Sequence, residues 1–311
     1  MFREITLNDK TWMDHCQKHA LQQMTVVSFP AVYTWQSTFG LTFDGDSRFY
    51  VVRSEADNGY YYPVGDTSAC RAYIRSLLQS TGRQNHSKAP FDFPDHPPGS
   101  LHADASPLLK LVYVPEQELE WLESLGFDIV TDRNTSEYIY SSRTLALLDD
   151  KASRNYKEKI RHFSRDNEWS VRPLSFPEEE AFLYAKADEL ANASLLKNDP
   201  EDFRAVLCAA KNPGAIGMSG IYVETAAHEW AFLLGYPSTD RIYDLTFIKY
   251  SLGMSRNVVP VCFSEMAKLV CGTWPLINLE DDMGIEGLRN MKTLYHPLCL
   301  LDSYTACKTA S

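Results

Sequence analysis

The sequence predicts an α+β protein built by internal duplication, on three observations. Both halves of the 311-residue chain run in one order: helix, three short strands, helix, strand, helix, strand. Within each half the three strands are short apolar runs parted by turn residues rather than by helices, which reads as an antiparallel meander. The length exceeds one average domain and leaves room for two cores of ordinary size. The expected division is residues 1–145 and 146–311, each a mixed, mostly antiparallel sheet flanked by helices.

In the first half a helix is expected over about residues 8–22, followed by SFPAVYTW. STFGLTF, SRFYVVRS and GYYYPVG, parted by Asp-Gly-Asp and Ala-Asp-Asn-Gly, are the meander strands. The pattern then predicts a helix over about 66–79, a strand at LLKLVYV, a helix at EQELEWLESLG and short strands ending in EYIYS. Residues 83–107 show neither period and read as a long loop or flap. His86, His96 and His102 lie there with Asp92, Asp95 and Asp104, in spacings that match no ligand framework, so no metal is expected.

The second half predicts helices over about 151–166, 177–193 and 200–211, then a second meander of GMSGIYVE, EWAFLLGY and RIYDLTFIKY. A helix near 258–271, the strand WPLIN, a helix through NLEDDMGIEGLRNMKTLYHP (residues 278–297) and a strand near LCLLDSY complete it.

The net charge of −11 argues against a surface that coats nucleic acid, while leaving room for one local basic groove. Seven cysteines, an odd number with no C-x-x-C pair, suit a reducing cytoplasm. MFREITLNDKTW has no apolar run behind a basic head, and no window approaches the roughly 18 apolar residues of a membrane span. At most peripheral contact with lipid is expected. There is no G-x-S-x-G elbow, P-loop or H-E-x-x-H pair, which disfavours serine hydrolases, P-loop enzymes and zinc proteases.

The richest segment chemically is 278–297. WPLIN delivers Asn278 and Glu280 to the carboxyl end of a strand, where α/β layers commonly bind ligands. Asp281 and Asp282 are expected in the cap and first turn of the following helix, complementing its dipole. Three adjacent acids repel, so at least one should have a cationic partner or a raised pKa. Arg289 and Lys292 lie further along, and Glu286 with Arg289 forms an i,i+3 pair. Ile285, Leu288 and Met291 read as the buried stripe. Gly284 and Gly287 each cost about 1 kcal/mol against Ala in a helix interior, a cost that signals close approach of a backbone or a ligand. KASRNYKEKIRHFSRD buries Tyr156, Ile160 and Phe163, leaving Lys151, Arg154, Lys157, Arg161 and Arg165 as a solvated face or a phosphate-binding strip.

NLEDDMGIEGLRNMKTLYHPLCLLDSYTA closely resembles the C-terminal signature of a bacterial family of uncharacterised proteins grouped with the C-terminal domain of phosphatidylglycerol lysyltransferases. SFPAVYTW, EYIYSSRTLALLDDKASRNYKEKIRHF and AFLLG match in order along the chain. The resemblance implies two tandem GNAT-like (acyl-CoA N-acyltransferase-like) domains, related to enzymes that move an aminoacyl group from a charged tRNA onto a lipid or a peptidoglycan precursor. Where the family carries a Gly-Lys turn, a Lys-Arg-Asn run and a Glu-Lys strand end, this chain has Asp150-Lys151, Tyr156-Lys157-Glu158 and Ile248-Lys249.

With the acid cluster, the resemblance implies an acyl- or aminoacyl-transferase acting on an amine or hydroxyl of a small-molecule substrate. Glu280 or Asp282 is the expected base and Tyr295 the proton donor. Asn278, Asp281, Glu286, Arg289, Lys292 and Lys249 are expected to bind substrate. Lys151, Arg154, Lys157 and Arg161 would hold the phosphates of an acyl-CoA or aminoacyl-tRNA donor. GAIGMSG does not fit the usual pyrophosphate loop, which weakens coenzyme A as that donor. The departures favour the alternative, a non-catalytic tandem GNAT-like module that binds a small anion or a protein.

Overall fold

The structure, a computed structural model, describes residues 1–21, 23–81, 108–149, 151, 153–193 and 200–309. The histidine-rich loop expected at 83–107 and Asp150 lie outside the described residues. The first half opens with α1 (Lys10–Lys18) and α2 (Phe29–Phe39). The α2 start is specified locally: the Ser28 side chain accepts from the Ala31 N–H, Pro30 sits in the first turn, and Gly40 at φ +59° stops the helix. Ser37, Thr38 and Phe39, expected to begin a strand, are therefore its last turn.

The first meander is β1 (Thr42–Asp46), β2 (Phe49–Ser54) and β3 (Gly59–Tyr61), with β4 (Val64–Gly65) folding back on β2. After α3 (Thr67–Thr81), β5 (Leu109–Val114) pairs parallel to β3. Then come α4 (Leu119–Ser124), β6 (Asp128–Thr131), β7 (Glu137–Ser141) and a short helix the sequence did not announce, α5 (Ser142–Leu147).

The second half repeats the plan. Helix α6 (Arg154–Asp166) leads to an unforeseen strand, β8 (Trp169–Pro173), and to α7 (Glu180–Asn192), α8 (Pro200–Lys211) and α9 (Pro213–Ile216). The meander β9 (Ser219–Thr225), β10 (Trp230–Pro237), β11 (Ile242–Tyr250) precedes α10 (Val258–Val270) and β12 (Leu276–Asn278). β12 runs parallel to β11, as β5 does to β3. The chain continues through α11 (Glu286–Leu294), β13 (Cys299–Leu301) and β14 (Tyr304–Lys308). Two mixed, mostly antiparallel sheets with flanking helices make the tandem GNAT-like fold.

The halves trade strands. The first sheet is ordered β1-β2-β3-β5-β14-β6 and the second β13-β7-β12-β11-β10-β9-β8. The place beside the parallel strand is thus filled in each sheet by a strand from the other half: β14 next to β5, β7 next to β12. The division expected at 145/146 does not coincide with the division between the sheets.

A core of Val27, Phe29, Val32, Tyr50, Leu234, Tyr236 and Phe247 lies between α2 and the facing strands. A second core, with Tyr138, Tyr140, Ile277, Phe263 and Tyr295, fills the opposite face of the second sheet.

Candidate active site

The site forms where β11 and β12 part. They pair from Ile242 opposite Leu276 to Asp244 opposite Asn278, after which β12 ends and β11 continues. At that point β11 bulges: Phe247 faces Leu234 and Leu245 faces Gly235, leaving Thr246 as the extra residue. A bulge re-aims the local side chains, and the Thr246 hydroxyl donates to Glu280 Oε1 at 2.8 Å.

Strand alternation places Glu137 on the sheet face turned toward α2 and its neighbours Tyr138 and Tyr140 on the other. Asp244 shares the α2 face with Tyr236, its partner in register. Four polar groups meet there out of contact with water. Asn278, 0% exposed, donates from Nδ2 to Glu137 Oε2 at 2.6 Å and accepts the Glu280 N–H at 2.7 Å. Glu137 also accepts the Thr25 N–H at 3.0 Å and the Thr25 hydroxyl at 2.9 Å, which ties β7 to the segment before α2. Asp244 is 0% exposed; no hydrogen bond of ordinary geometry reaches its oxygens among the described residues, and its nearest polar neighbour is the Tyr236 hydroxyl. Burial pushes its carboxyl well above the usual range, with Glu280 and Glu137 adding to the rise. The Tyr236 hydroxyl and the Lys292 ammonium oppose that rise.

Glu280 is partly buried, and its carboxyl is pushed up to about 7, chiefly by burial and opposed by the Lys292 ammonium and the Thr246 hydrogen bond. Burial likewise raises Asp281. Lys292 is the counterweight: only 7% exposed, it donates to the Asp281 carbonyl and lies 5.8 Å from the Tyr138 ring. One ammonium thus faces the carboxyl groups of Glu280, Asp281 and Asp244.

Asp282 does something else. Its 0%-exposed carboxylate takes both ends of the Arg289 fork at 2.9 Å, the Tyr138 hydroxyl at 2.6 Å, the Gly284 N–H at 3.0 Å and Arg133 at 3.3 Å. The Arg289 hydrogen bond holds it far below the usual carboxylate range. A carboxylate held that far below its usual range, with its oxygens already taken by Arg289 and Tyr138, is too weak a base for proton transfer near neutrality, so the expected role as base is corrected and Asp282 reads as a structural anchor.

The helix expected to start on these acids does not. Glu280, Met283 and Gly284 have φ of +60°, +50° and +71°, and α11 begins only at Glu286. Asp281 and Asp282 lie in this looped turn rather than in a helix cap. Glu286 is exposed and does not take Arg289, which turns to Asp282 and Asn134. Ile285 is exposed rather than buried, and the inner side of α11 is Met291, Lys292 and Tyr295.

The two glycines separate as well. Gly284 needs its positive φ, and a Cβ there would come within 3.2 Å of Asn134, whereas Gly287 has open space. Gly284→Ala is expected to cost about 1–2 kcal/mol and Gly287→Ala to add about 0.5–1 kcal/mol, read as opposite shifts in the urea midpoint.

Tyr295, expected as proton donor, is 5% exposed in the core behind the sheet, its ring 4.6 Å from Tyr156 and 5.9 Å from Phe263, and burial raises its pKa. It sits on the face away from Glu137 and Asp244. Lys249 ion-pairs with Asp202 and lies 5.3 Å from the Phe203 ring, so it holds α8 onto β11. Tyr156 is buried under α6, while Lys151, Arg154 and Arg161 are exposed and Lys157 partly so. None of these four has a carboxylate within ion-pair distance among the described residues.

Sequence reasoning missed Glu137, Asp244, Thr246 and Tyr236. A signal existed for Asp244: one acid inside the apolar run RIYDLTFIKY is out of place unless it has work to do.

Among the described residues no helix is long and apolar enough to cross a membrane. No curated protein matches the sequence. Among solved structures, a conserved protein of unknown function from Bacteroides thetaiotaomicron VPI-5482 shares 22% identity and a TM-score of 0.80, over 99% of each chain. The C-terminal domain of a putative lysylphosphatidylglycerol synthetase from Agrobacterium fabrum shares 10% identity and a TM-score of 0.68, over 98% of this chain and 92% of that one. L-PGS from Bacillus licheniformis shares 11% identity and a TM-score of 0.65, with the same two coverages. These likenesses speak for the fold. The family profile described as phosphatidylglycerol lysyltransferase, C-terminal, matches residues 104–307. With more than half of its residues inside that match, the chain belongs to the family of phosphatidylglycerol lysyltransferase C-terminal domains.

Proposed function

We propose that the protein is an aminoacyl-transferase in which an acceptor amine or hydroxyl attacks an activated carbonyl directly, with Glu280 as general base. The observation that carries this reading is the Glu280 carboxyl, raised to about 7 at the point where β11 and β12 diverge. A carboxylate of that pKa is matched to proton transfer at neutral pH. The acceptor's lone pair forms the new bond to the carbonyl carbon while Glu280 takes its proton. The bond from carbon to the leaving oxygen or sulfur then breaks, and Glu280 returns the proton to that atom, so the carboxylate is unchanged after each turnover. The Lys292 ammonium would offset the negative charge that develops between the two steps.

The excess of carboxyl groups over Lys292 favours an aminoacyl donor over a plain acyl one, since an α-ammonium would complete the charge balance. Lys151, Arg154, Lys157 and Arg161 would hold the phosphates of that donor, a charged tRNA end in preference to coenzyme A. The test is to incubate the protein with aminoacyl-tRNA or acyl-CoA and an amine acceptor and to measure product. Product from aminoacyl-tRNA, lost in Glu280→Gln and weakened by the double change Lys157→Glu and Arg161→Glu, is expected. Donor binding with no product from either donor would instead support the non-catalytic module.

A further inference from the structure

A cavity of about 630 Å³ lies between α1 and the turn joining β10 to β11, within the size range of small-molecule sites. One wall comes from the first half and carries Lys10, Asp14 and Lys18; the other comes from the second and carries Tyr236, Asp240 and Arg241. Lys10 and Asp14 cancel each other in an ion pair of 2.5 Å. Neither Lys18 nor Arg241 has a carboxylate within ion-pair distance among the described residues. Beyond the Lys10–Asp14 pair, Lys18 and Arg241 against the carboxylate of Asp240 make this cavity locally positive among the described residues, in a chain of net charge −11. Ile242, Leu276 and the Trp274 indole supply apolar wall.

The cavity lies at the start of the strand pair that carries the acid chamber. Ile242 and Leu276 are paired neighbours in its wall, and the same two strands deliver Asp244 and Asn278 two residues later, roughly 7 Å along. Tyr236 belongs to both places: it lines the cavity, stands opposite Asp244 in register, and its hydroxyl accepts from Ser28 Oγ at 3.1 Å.

We propose that this cavity binds the acceptor, a small amine carrying one carboxylate, in the class of apolar amino acids and short peptides, with the carboxylate between Lys18 and Arg241. An excess of one positive charge matches a monoanionic group, and Asp240 repels a second negative charge. The planar Arg241 guanidinium suits a carboxylate's two oxygens. The apolar wall takes the side chains, and the amine is left toward Tyr236 and the chamber. The proposal rests on the transferase reading for the word acceptor, but not for the binding itself.

The experiment titrates leucyl-leucine, its C-terminal amide and glycerol 3-phosphate into the full chain without any acyl donor, following tryptophan fluorescence. Leucyl-leucine should give a saturable change that disappears in Trp274→Phe. Its affinity should fall about tenfold or more both for the amide and in Arg241→Gln, as loss of a charge-assisted contact implies. Arg241 is exposed, so that variant is expected to fold as the wild type does. Equal binding of acid and amide, tighter binding of glycerol 3-phosphate, or an unchanged affinity in Arg241→Gln would overturn the proposal. Because no donor is present, such a failure leaves the Glu280 reading untouched; loss of transfer with binding intact would do the reverse.

Discussion

Replacing Glu280 by Gln is expected to lower the transfer rate by about 100- to 10,000-fold, the usual worth of a positioned general base, without destabilising the fold. Wild-type kcat should rise as pH increases through about 7, where the Glu280 carboxyl gives up its proton. The residual rate of the variant should lose that step. The stability sign runs opposite to the activity sign. A carboxyl raised from 4.5 to about 7 binds more protons folded than unfolded across that interval, so stability falls as pH rises through it. Gln carries no such dependence, and the variant should melt no lower than wild type at pH 8. Undiminished turnover would remove Glu280 from the chemistry; a collapsed melting temperature would mean that it holds the turn instead.

The second large effect is on stability. Arg289→Met should cost about 3 kcal/mol or more in urea unfolding at neutral pH, because it leaves the buried Asp282 carboxylate without its bidentate partner. Arg133 and the Tyr138 hydroxyl remain, which keeps the loss toward the lower end of the range for broken buried pairs. Asp282 is depressed in the folded protein, so its contribution is present above the ordinary carboxylate value of 3.8 and is lost as pH falls below it. The gap between variant and wild type should narrow in acid for that reason. Glu286→Gln is the contrast: exposed and without Arg289, it should change the midpoint by less than about 0.5 kcal/mol. Equal losses in the two variants would restore the Glu286–Arg289 pair that helical spacing suggests.

Much of the architecture could be read in advance because local rules govern it. RIYDLTFIKY and EWAFLLGY are apolar runs around a turn, and they pair as such. The start of α2 is equally local, written in Ser28 and Pro30, while its end is masked in the sequence by the strand-like STFGLTF that overlaps it. The acid turn was legible in composition but not in shape. Nothing in a bare sequence says that Glu280 and Met283, neither of them glycine, take left-handed backbone and delay α11 to Glu286. The chamber was the least legible part. Glu137 reaches Asn278 only because β7 crosses into the second sheet, and Asp244 meets Glu280 only where β11 bulges. Those are tertiary events that residue spacing along one segment does not encode.

The traded strands also matter while the chain is being made. Tyr304–Lys308 follow every other described strand in order of synthesis, yet they sit inside the first sheet between β5 and β6. Until they leave the ribosome, the facing edges of β5 and β6 are bare, and β7 waits for β12. Unpaired edges of this kind recruit strands from other chains. A ribosome stalled anywhere before residue 304 would therefore display a half-built first sheet, whereas the second sheet, whose last strand in the chain ends at Leu301, has all its strands a few residues earlier.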